Sequence, residues 1–411
     1  MRFVSKRILS LFLVLSLLLS ACAFAWAEEG DPDEIYEDVD LDDTDADLDT
    51  GDDDSGSPEN GSDEVLSDEL KEELAASLES KDYVPTELEV DNLFINENLP
   101  DNVLNILLIG VDTRESELKD KDIKRADVQI ILSYNLDDGS IKLTSILRDT
   151  LVTNPFTGKK GPINESYSSY DKKNVFHDNP QRSVATINYN FQLNIKYYVT
   201  INFHGVAAIV DEIGGVDVDL TKGEAWNINY YLKKNARKIA RTYDTLAKGQ
   251  KRQALKVEDG VQHLDGIQAL MYARLRKSLS SKYDMGGDWQ RTVRTRHLLD
   301  LLLQKVLKMK VEDMIDLLGT AIEYVNSNMN ADTMLDLIFK VLGSGITEKL
   351  SSSDTLIEQF RIPMGDAESG NKTWAYDNDS GKIFMSESNG NFQKNVESLH
   401  EFIYGRYYPA D

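Results

Sequence analysis

A chain that repeats short apolar runs, hydrophobic on both sides, can bury them in one way, as strands of a sheet covered on both faces. The first such run here is NILLIGVD, residues 105–112, which closes on Gly and Asp. VQIILSYNL (128–136) and IKLTSIL (141–147) follow, joined by a hairpin turn at Asp137-Asp138-Gly139-Ser140. SVATINYNFQL (183–193) then reads as helix and KYYVTINF (196–203) as strand. GVAAIVDEIGG (205–215) reads as a helix stopped by two glycines, and VDVDL (216–220) as another strand. DGIQALMYARLR (265–276) and RTVRTRHLLDLLLQKVLKM (291–309) are helical, the second with a strong apolar face. This alternation sets the class as α/β, a central sheet covered by helices. Beyond Met314 the pattern gives helices, then an irregular Gly/Ser/Asn-rich stretch from Ser369 to Asn391.

The amino-terminal quarter follows other rules. Arg2, Lys6 and Arg7 precede an apolar run from Ile8 to Leu19, the pattern of an export signal over residues 1–27. Three outcomes stand open: cleavage after the small-x-small Ala25-Trp26-Ala27, an uncut membrane span, or a lipobox at Leu19-Ser20-Ala21-Cys22 with acylation of Cys22. Cys22 is the only cysteine, so no internal disulfide forms, and the lipobox gives its thiol a use. All three place the remainder outside the cytoplasm. Residues 28–70 contain 21 of the 71 acidic residues and no Lys or Arg, so they form an extended, disordered spacer rather than a fold. The formal net charge of −26 is largely this segment's, and says little about the folded part. Asp-rich as the spacer is, it lacks a calcium loop with a closing Glu. SDELKEELAASLESK (67–81) is a capped helix with Leu70, Leu74 and Leu78 along one side, and most of it falls in a connecting region spanning 71–96.

Polar groups gather at the ends of the expected strands. Asp112 and Arg114 follow the first, Arg125 and Asp127 precede the second, and Arg148 and Asp149 end the third. Strand ends are where open α/β sheets bind ligands. A single Arg–Asp pair is more often a structural ion pair, but several at one locus, with Arg274, Arg276, Arg291, Arg294 and Arg296 further on, point to phosphate chemistry. Carboxylates beside phosphate repel it unless a divalent cation bridges them, which suggests Mg²⁺. No zinc spacing is present among the five histidines, and His204 and His263 read as structural. Residues 233–252 form a basic helix, and an exported protein meets wall polymer or anionic lipid rather than nucleic acid.

The motif order NILLIGVDTR, RADV, SILRDT, INESY, YYVTINFHGVAAIVDEIGGVDVDL, LDGIQALMYARLR and GGDWQRTVRTR resembles the LytR-CpsA-Psr family of bacterial cell-envelope proteins, over about residues 105–305. The resemblance implies an α-β-α layered domain at 97–311 with a mixed central sheet, a hydrophobic pocket for a lipid tail, and a carboxy-terminal extension at 312–411. It implies a phosphotransferase that moves a glycan polymer, such as teichoic acid or capsule, from a polyprenyl-pyrophosphate carrier to peptidoglycan through a phosphodiester. Asp112 and Asp127 match the family's metal-associated aspartates. Arg125, Arg148, Arg274, Arg276, Arg291 and Arg294 match its pyrophosphate-binding arginines, with Asp149 beside them. Two positions depart from the family pattern: Thr295 stands where Gln is common, and Pro162 where Lys is common.

In the chemistry these residues suit, an acceptor hydroxyl attacks the glycan-side phosphorus while arginines and Mg²⁺ neutralise charge, and Asp112 or Asp149 takes the proton. Two other readings use the same residues: hydrolysis of the pyrophosphate, and an envelope lipoprotein that binds lipid or glycan without catalysis. The Asp112/Asp127 pair favours an enzyme, since a pure anion binder gains nothing from carboxylates.

Overall fold

The computed structural model describes residues 85–87, 90–111, 125–167, 179–235 and 252–275, single positions and short runs between 278 and 333, and then 357–365, 373–377, 382–385 and 390–410. The leader with Cys22, the acidic spacer 28–70 and the helix expected at 67–81 lie outside the described residues, as does most of the basic segment 233–252.

Six strands form the central sheet in the order β10-β3-β2-β1-β6-β9. They are β1 (Val103–Val111), β2 (Ala126–Asn135), β3 (Ile141–Ile146), β6 (Tyr197–Asn202), β9 (Val325–Ser327) and β10 (Ile357–Ile362). β1 pairs antiparallel with β2 and parallel with β6, β2 pairs antiparallel with β3, and β10 pairs parallel with β3. The sheet is therefore mixed. β1 is buried on both faces, as its uninterrupted apolar sequence requires, with Leu107, Leu108, Ile109 and Val111 all at 0% exposure. The β2–β3 turn is the expected one: Gly139 takes a positive φ of 68°, and the Asp138 carboxylate accepts from the Ser140 N–H at 2.8 Å.

The helices cover this sheet. α1 (Asn179–Phe191) buries most of its length, starting four residues before the expected helix. α2 (Phe203–Glu212) begins where Asn202, the last residue of β6, accepts from Gly205 N–H at 2.9 Å, and it stops at Gly214 and Gly215, both with positive φ. α3 (Lys222–Lys234) and α4 (Gly266–Arg274) each open on a capping box, Thr221 with Glu224 and Asp265 with Gln268. α4 crosses α2 so closely that a Cβ on Gly266 would lie 2.0 Å from the Ala207 carbonyl oxygen, so no larger residue fits there. α5 (Asn391–Tyr404) closes the chain, with His400 and Leu399 fully buried.

Several elements differ from the sequence reading. VDVDL is indeed a strand, β7 (Val216–Leu220), but it joins β8 (Gly260–Leu264) in a separate antiparallel ribbon, and its alternate residues Asp217 and Asp219 face solvent. The segment between β3 and α1 forms a hairpin of β4 (Leu151–Thr153) and β5 (Lys160–Pro162), then a 3₁₀ turn over Ile163–Ser166. Beyond residue 311 the chain is not only helical and irregular: β9 and β10 supply both edges of the central sheet, and β11 (Ala375–Asp377) pairs with β12 (Lys382–Phe384) inside the stretch read as irregular.

Candidate active site

The strand directions place one edge of the sheet at the ends of β1, β3, β6 and β10 and at the start of β2. At this edge Val111 pairs with Ala126 on one side and with Asn202 on the other. Gly110 pairs with Val128 and Val111 with Ala126, so the β2 residue between them, Asp127, has no partner in the ladder. It is the extra residue of a β-bulge, a device that re-aims backbone and side chain at strand ends and active sites. Asp112 is bonded directly to Val111 and lies outside the described residues, as do Arg114, Arg276 and Arg291.

Arg148 and Asp149 come to the same edge because β3 ends there, Ile146 pairing with Gln129 of β2. Their turn is held by the backbone on several sides. Leu147 N–H donates to Ile362 O of β10 at 2.9 Å, Thr150 N–H to Leu147 O at 3.0 Å, Asn164 N–H to Arg148 O at 3.1 Å, and Ile383 N–H of β12 to Asp149 O at 2.9 Å. Arg148 Nε lies 3.5 Å from Asp149 Oδ2, with side-chain exposures of 15% and 29%. The pair is thus half-sheltered on a rigid turn, where an ion pair keeps more of its strength than at the open surface. Arg125 is more exposed and reaches Glu165 Oε1 at 3.5 Å. Glu165 belongs to the INESY segment, and nothing in its sequence context marked it as Arg125's partner.

Three buried oxygens border this turn. Gln129 Oε1, Asn164 Oδ1 and Thr150 Oγ1 make no hydrogen bond among the described residues, although the Gln129 amide nitrogen donates to Ile163 O at 3.3 Å. Buried acceptors are normally matched by protein, water or ligand. The three are neutral oxygen donors, of the kind hard divalent cations accept. That chemistry fits Mg²⁺.

The later arginines divide. Arg274 is the last residue of α4, half-buried at the mouth of the arginine-rich loop. α4 is well fixed at its other end: Arg252 pairs with the capping carboxylate of Asp265, and Gly266 N–H donates to Asp211 of α2 at 2.6 Å. Arg294 has a different task from the pyrophosphate contact the resemblance implied. It is 6% exposed, and its guanidinium donates to Glu224 Oε1 at 2.5 Å, to Leu275 O at 2.8 Å and to Met285 O at 2.9 Å. A fork committed to one carboxylate and two carbonyls is a brace, not a phosphate ligand. Thr295, at the position where the family commonly has Gln, is buried and donates to Ala273 O at 3.3 Å. His263 pairs with Asp217 on the exposed face of the β7–β8 ribbon, and His204 stacks on Tyr324, its pKa lowered by burial; neither belongs to a catalytic pair.

Comparison with known proteins agrees with this architecture. The LytR_cpsA_psr family pattern matches residues 69–389. The chain is 28% identical over 235 residues to polyisoprenyl-teichoic acid–peptidoglycan teichoic acid transferase TagU of Bacillus mycoides, an overlap of 57% of this chain and 63% of that relative. It is 26% identical over 315 residues to biofilm regulatory protein A of Streptococcus mutans, covering 73% and 69% of the two chains. Among solved structures, protein gbs0355 of Streptococcus agalactiae superposes with a TM-score of 0.50 at 21% identity, covering 74% of this chain and 88% of that one, which speaks to the fold. The match to TagU thus spans less than two thirds of that relative's length. With the pattern covering most of the chain, from the connecting region before β1 through β12, the chain belongs to the LytR-CpsA-Psr family.

Proposed function

We propose that this chain is an extracytoplasmic phosphotransferase that moves a glycopolymer from a polyprenyl-pyrophosphate carrier to peptidoglycan through a phosphodiester, held at the outer face of the bacterial cell membrane. The observation that carries this reading is the single sheet edge that collects Arg125, the Asp127 bulge and the Arg148–Asp149 turn beside the end of β1. The name of the TagU relative, a transferase of teichoic acid to peptidoglycan, supports the same chemistry.

Arg125 and Arg148, joined by Arg274, Arg276 and Arg291 from the arginine loop, hold the pyrophosphate oxygens; a guanidinium fork suits two oxygens at once and keeps its charge at any working pH. Asp112 and Asp127 would hold Mg²⁺, which when bound supplies charge neutralisation on the pyrophosphate. The acceptor hydroxyl oxygen forms a bond to the glycan-side phosphorus, the bond from that phosphorus to the bridging oxygen breaks, and polyprenyl phosphate leaves. The hydroxyl proton passes to a carboxylate at this edge, Asp149 or Asp112. Positioning and electrostatics do most of the work. The lipid tail would take the hydrophobic pocket that the family resemblance implies. Anchoring rests with the leader, by acylation at Cys22 or as an uncut span; among the described residues no helix is long and apolar enough to cross a membrane.

Incubation of the purified full chain with a polyprenyl-pyrophosphate oligosaccharide and peptidoglycan fragments as acceptor tests the carrier half of this reading. Polyprenyl phosphate should be released only with Mg²⁺ present, and Asp127→Asn should abolish the release. Release that is unaffected by chelator, or by that substitution, would contradict it.

A further inference from the structure

Between Leu275 and Arg291 runs the arginine loop, and its described residues Ser278, Tyr283 and Met285 pack on α3. Gly223 leaves room for it: a Cβ there would meet Tyr283 Cδ1 at 3.0 Å and Met285 Cε at 3.1 Å. Trp226 packs on Tyr283 with ring centres 5.7 Å apart, and the Asn227 amide donates to Ser278 Oγ at 3.3 Å. The strongest polar tie is the buried pair of Glu224 and Arg294, 8% and 6% exposed. Glu224 divides its two oxygens. Oε2 closes the α3 cap, accepting from Thr221 N–H and Oγ1 at 2.9 Å each, while Oε1 takes the Arg294 Nε–H at 2.5 Å. Arg294 in turn grips two loop carbonyls. In sequence, Leu275 stands between Arg274 and Arg276, and Met285 immediately precedes Gly286-Gly287-Asp288.

We propose that Glu224, acting through Arg294, is the positioning residue of the arginine loop. α3 has no arginine of its own, yet through Arg294 its first turn holds Leu275 and Met285 within the stretch of sequence that carries Arg274, Arg276 and Arg291. Loss of the Glu224 charge leaves a buried guanidinium without its counter-ion, and Leu275 and Met285 without a fixed anchor. The consequence for substrate rests on the phosphotransferase reading; the brace itself does not.

Hydrogen exchange on the substrate-free full chain separates the two. Glu224→Gln keeps an acceptor for the Thr221 cap but removes the charge facing Arg294. Arg294→Lys keeps the charge but cannot reach two carbonyls. Both should raise exchange across residues 275–292 by about tenfold or more while β1 and β2 stay protected. Thr221→Ala disturbs only the cap and should leave 275–292 as in the parent. The Kd for farnesyl pyrophosphate with Mg²⁺ should rise about tenfold in the first two variants and not in the third. Unchanged exchange at 275–292 in both Glu224→Gln and Arg294→Lys overturns the proposal. So does loss of protection throughout β1 and β2, which would make the pair a core element rather than a loop anchor. A loosened loop with unchanged farnesyl pyrophosphate binding supports the brace and counts against the phosphotransferase reading.

Discussion

Removing Asp127 outright should harm the chemistry far more than the fold. A deletion inside a strand normally flips every following side chain to the wrong face. At this position the ladder already skips a residue, Gly110 to Val128 and then Val111 to Ala126. Without Asp127 those same pairs become consecutive, and Ala126 and Val128, at 0% and 2% exposure, keep their partners and their burial. The pairs on both sides of the bulge are kept, so stability should change by about 1 kcal/mol or less, a Tm shift of roughly 2–4 °C for a domain of this size. Deletion of Ile131 is the control. It removes a fully buried side chain and shifts Gln129 away from Ile163 and Ser166, at a cost of several kcal/mol, about 2–5 for the side chain alone. Thermal unfolding by circular dichroism reads both. The Asp127 deletion should melt near the parent while losing Mg²⁺-dependent release of polyprenyl phosphate as completely as Asp127→Asn. If both deletions destabilise alike, Asp127 is not the spare residue of the ladder. If the Asp127 deletion stays active, that carboxylate has no part in the reaction.

Arg148→Lys keeps a cation on a turn that the backbone holds fixed but loses the fork, so farnesyl pyrophosphate affinity measured by titration calorimetry should fall about ten- to a hundred-fold with the Tm unmoved. His400 is fully buried, donating from Nε2 to Phe191 O at 2.9 Å and accepting the Tyr408 N–H on Nδ1 at 3.3 Å, and burial lowers its pKa from 6.5. Below pH 6.5 the unfolded chain takes up that proton more readily than the folded one, so stability is full above about pH 6.5 and falls through the window beneath it, by up to about 1.4 kcal/mol per pH unit until the folded pKa is reached. His400→Gln should flatten that part of the urea-midpoint profile. Mass spectrometry of the mature amino terminus should find an acylated Cys22; a chain beginning at Glu28, or retaining Met1, excludes the lipid anchor.

How much of this was legible in the sequence depends on what each feature needs for its definition. β1, β2 and β3 were legible because apolar character on both faces is a local property, and Gly139 marks the turn between two of them. The stop of α2 at Gly214-Gly215 was legible for the same reason. β9 is three residues long, and β10 lies at the outer edge of the sheet with Glu358 and Gln359 exposed, so neither carries a pattern that separates it from loop. That Arg125, Arg148 and Asp149 stand at strand ends was readable from the limits of the apolar runs. The bulge at Asp127 was not, because register belongs to two strands at once. Arg291 and Arg294 look alike in sequence, three positions apart on one helical pattern. Glu224, 70 residues upstream, is what makes the second a brace, and that contact exists only after folding. Glu165 was missed likewise: its pairing with Arg125 spans 40 residues, and single acidic residues in loops are usually just solvated.

Transfer to peptidoglycan, as opposed to water, is the claim on which the rest depends. ³¹P NMR of the product measures it directly, after the full chain has acted on a polyprenyl-pyrophosphate oligosaccharide with Mg²⁺ and peptidoglycan fragments. The account predicts a phosphodiester joining oligosaccharide to fragment, in amount matching the polyprenyl phosphate released, and absent from Asp127→Asn. A phosphomonoester on the oligosaccharide as the sole product, whatever the concentration of peptidoglycan, would make the protein a hydrolase and contradict the account.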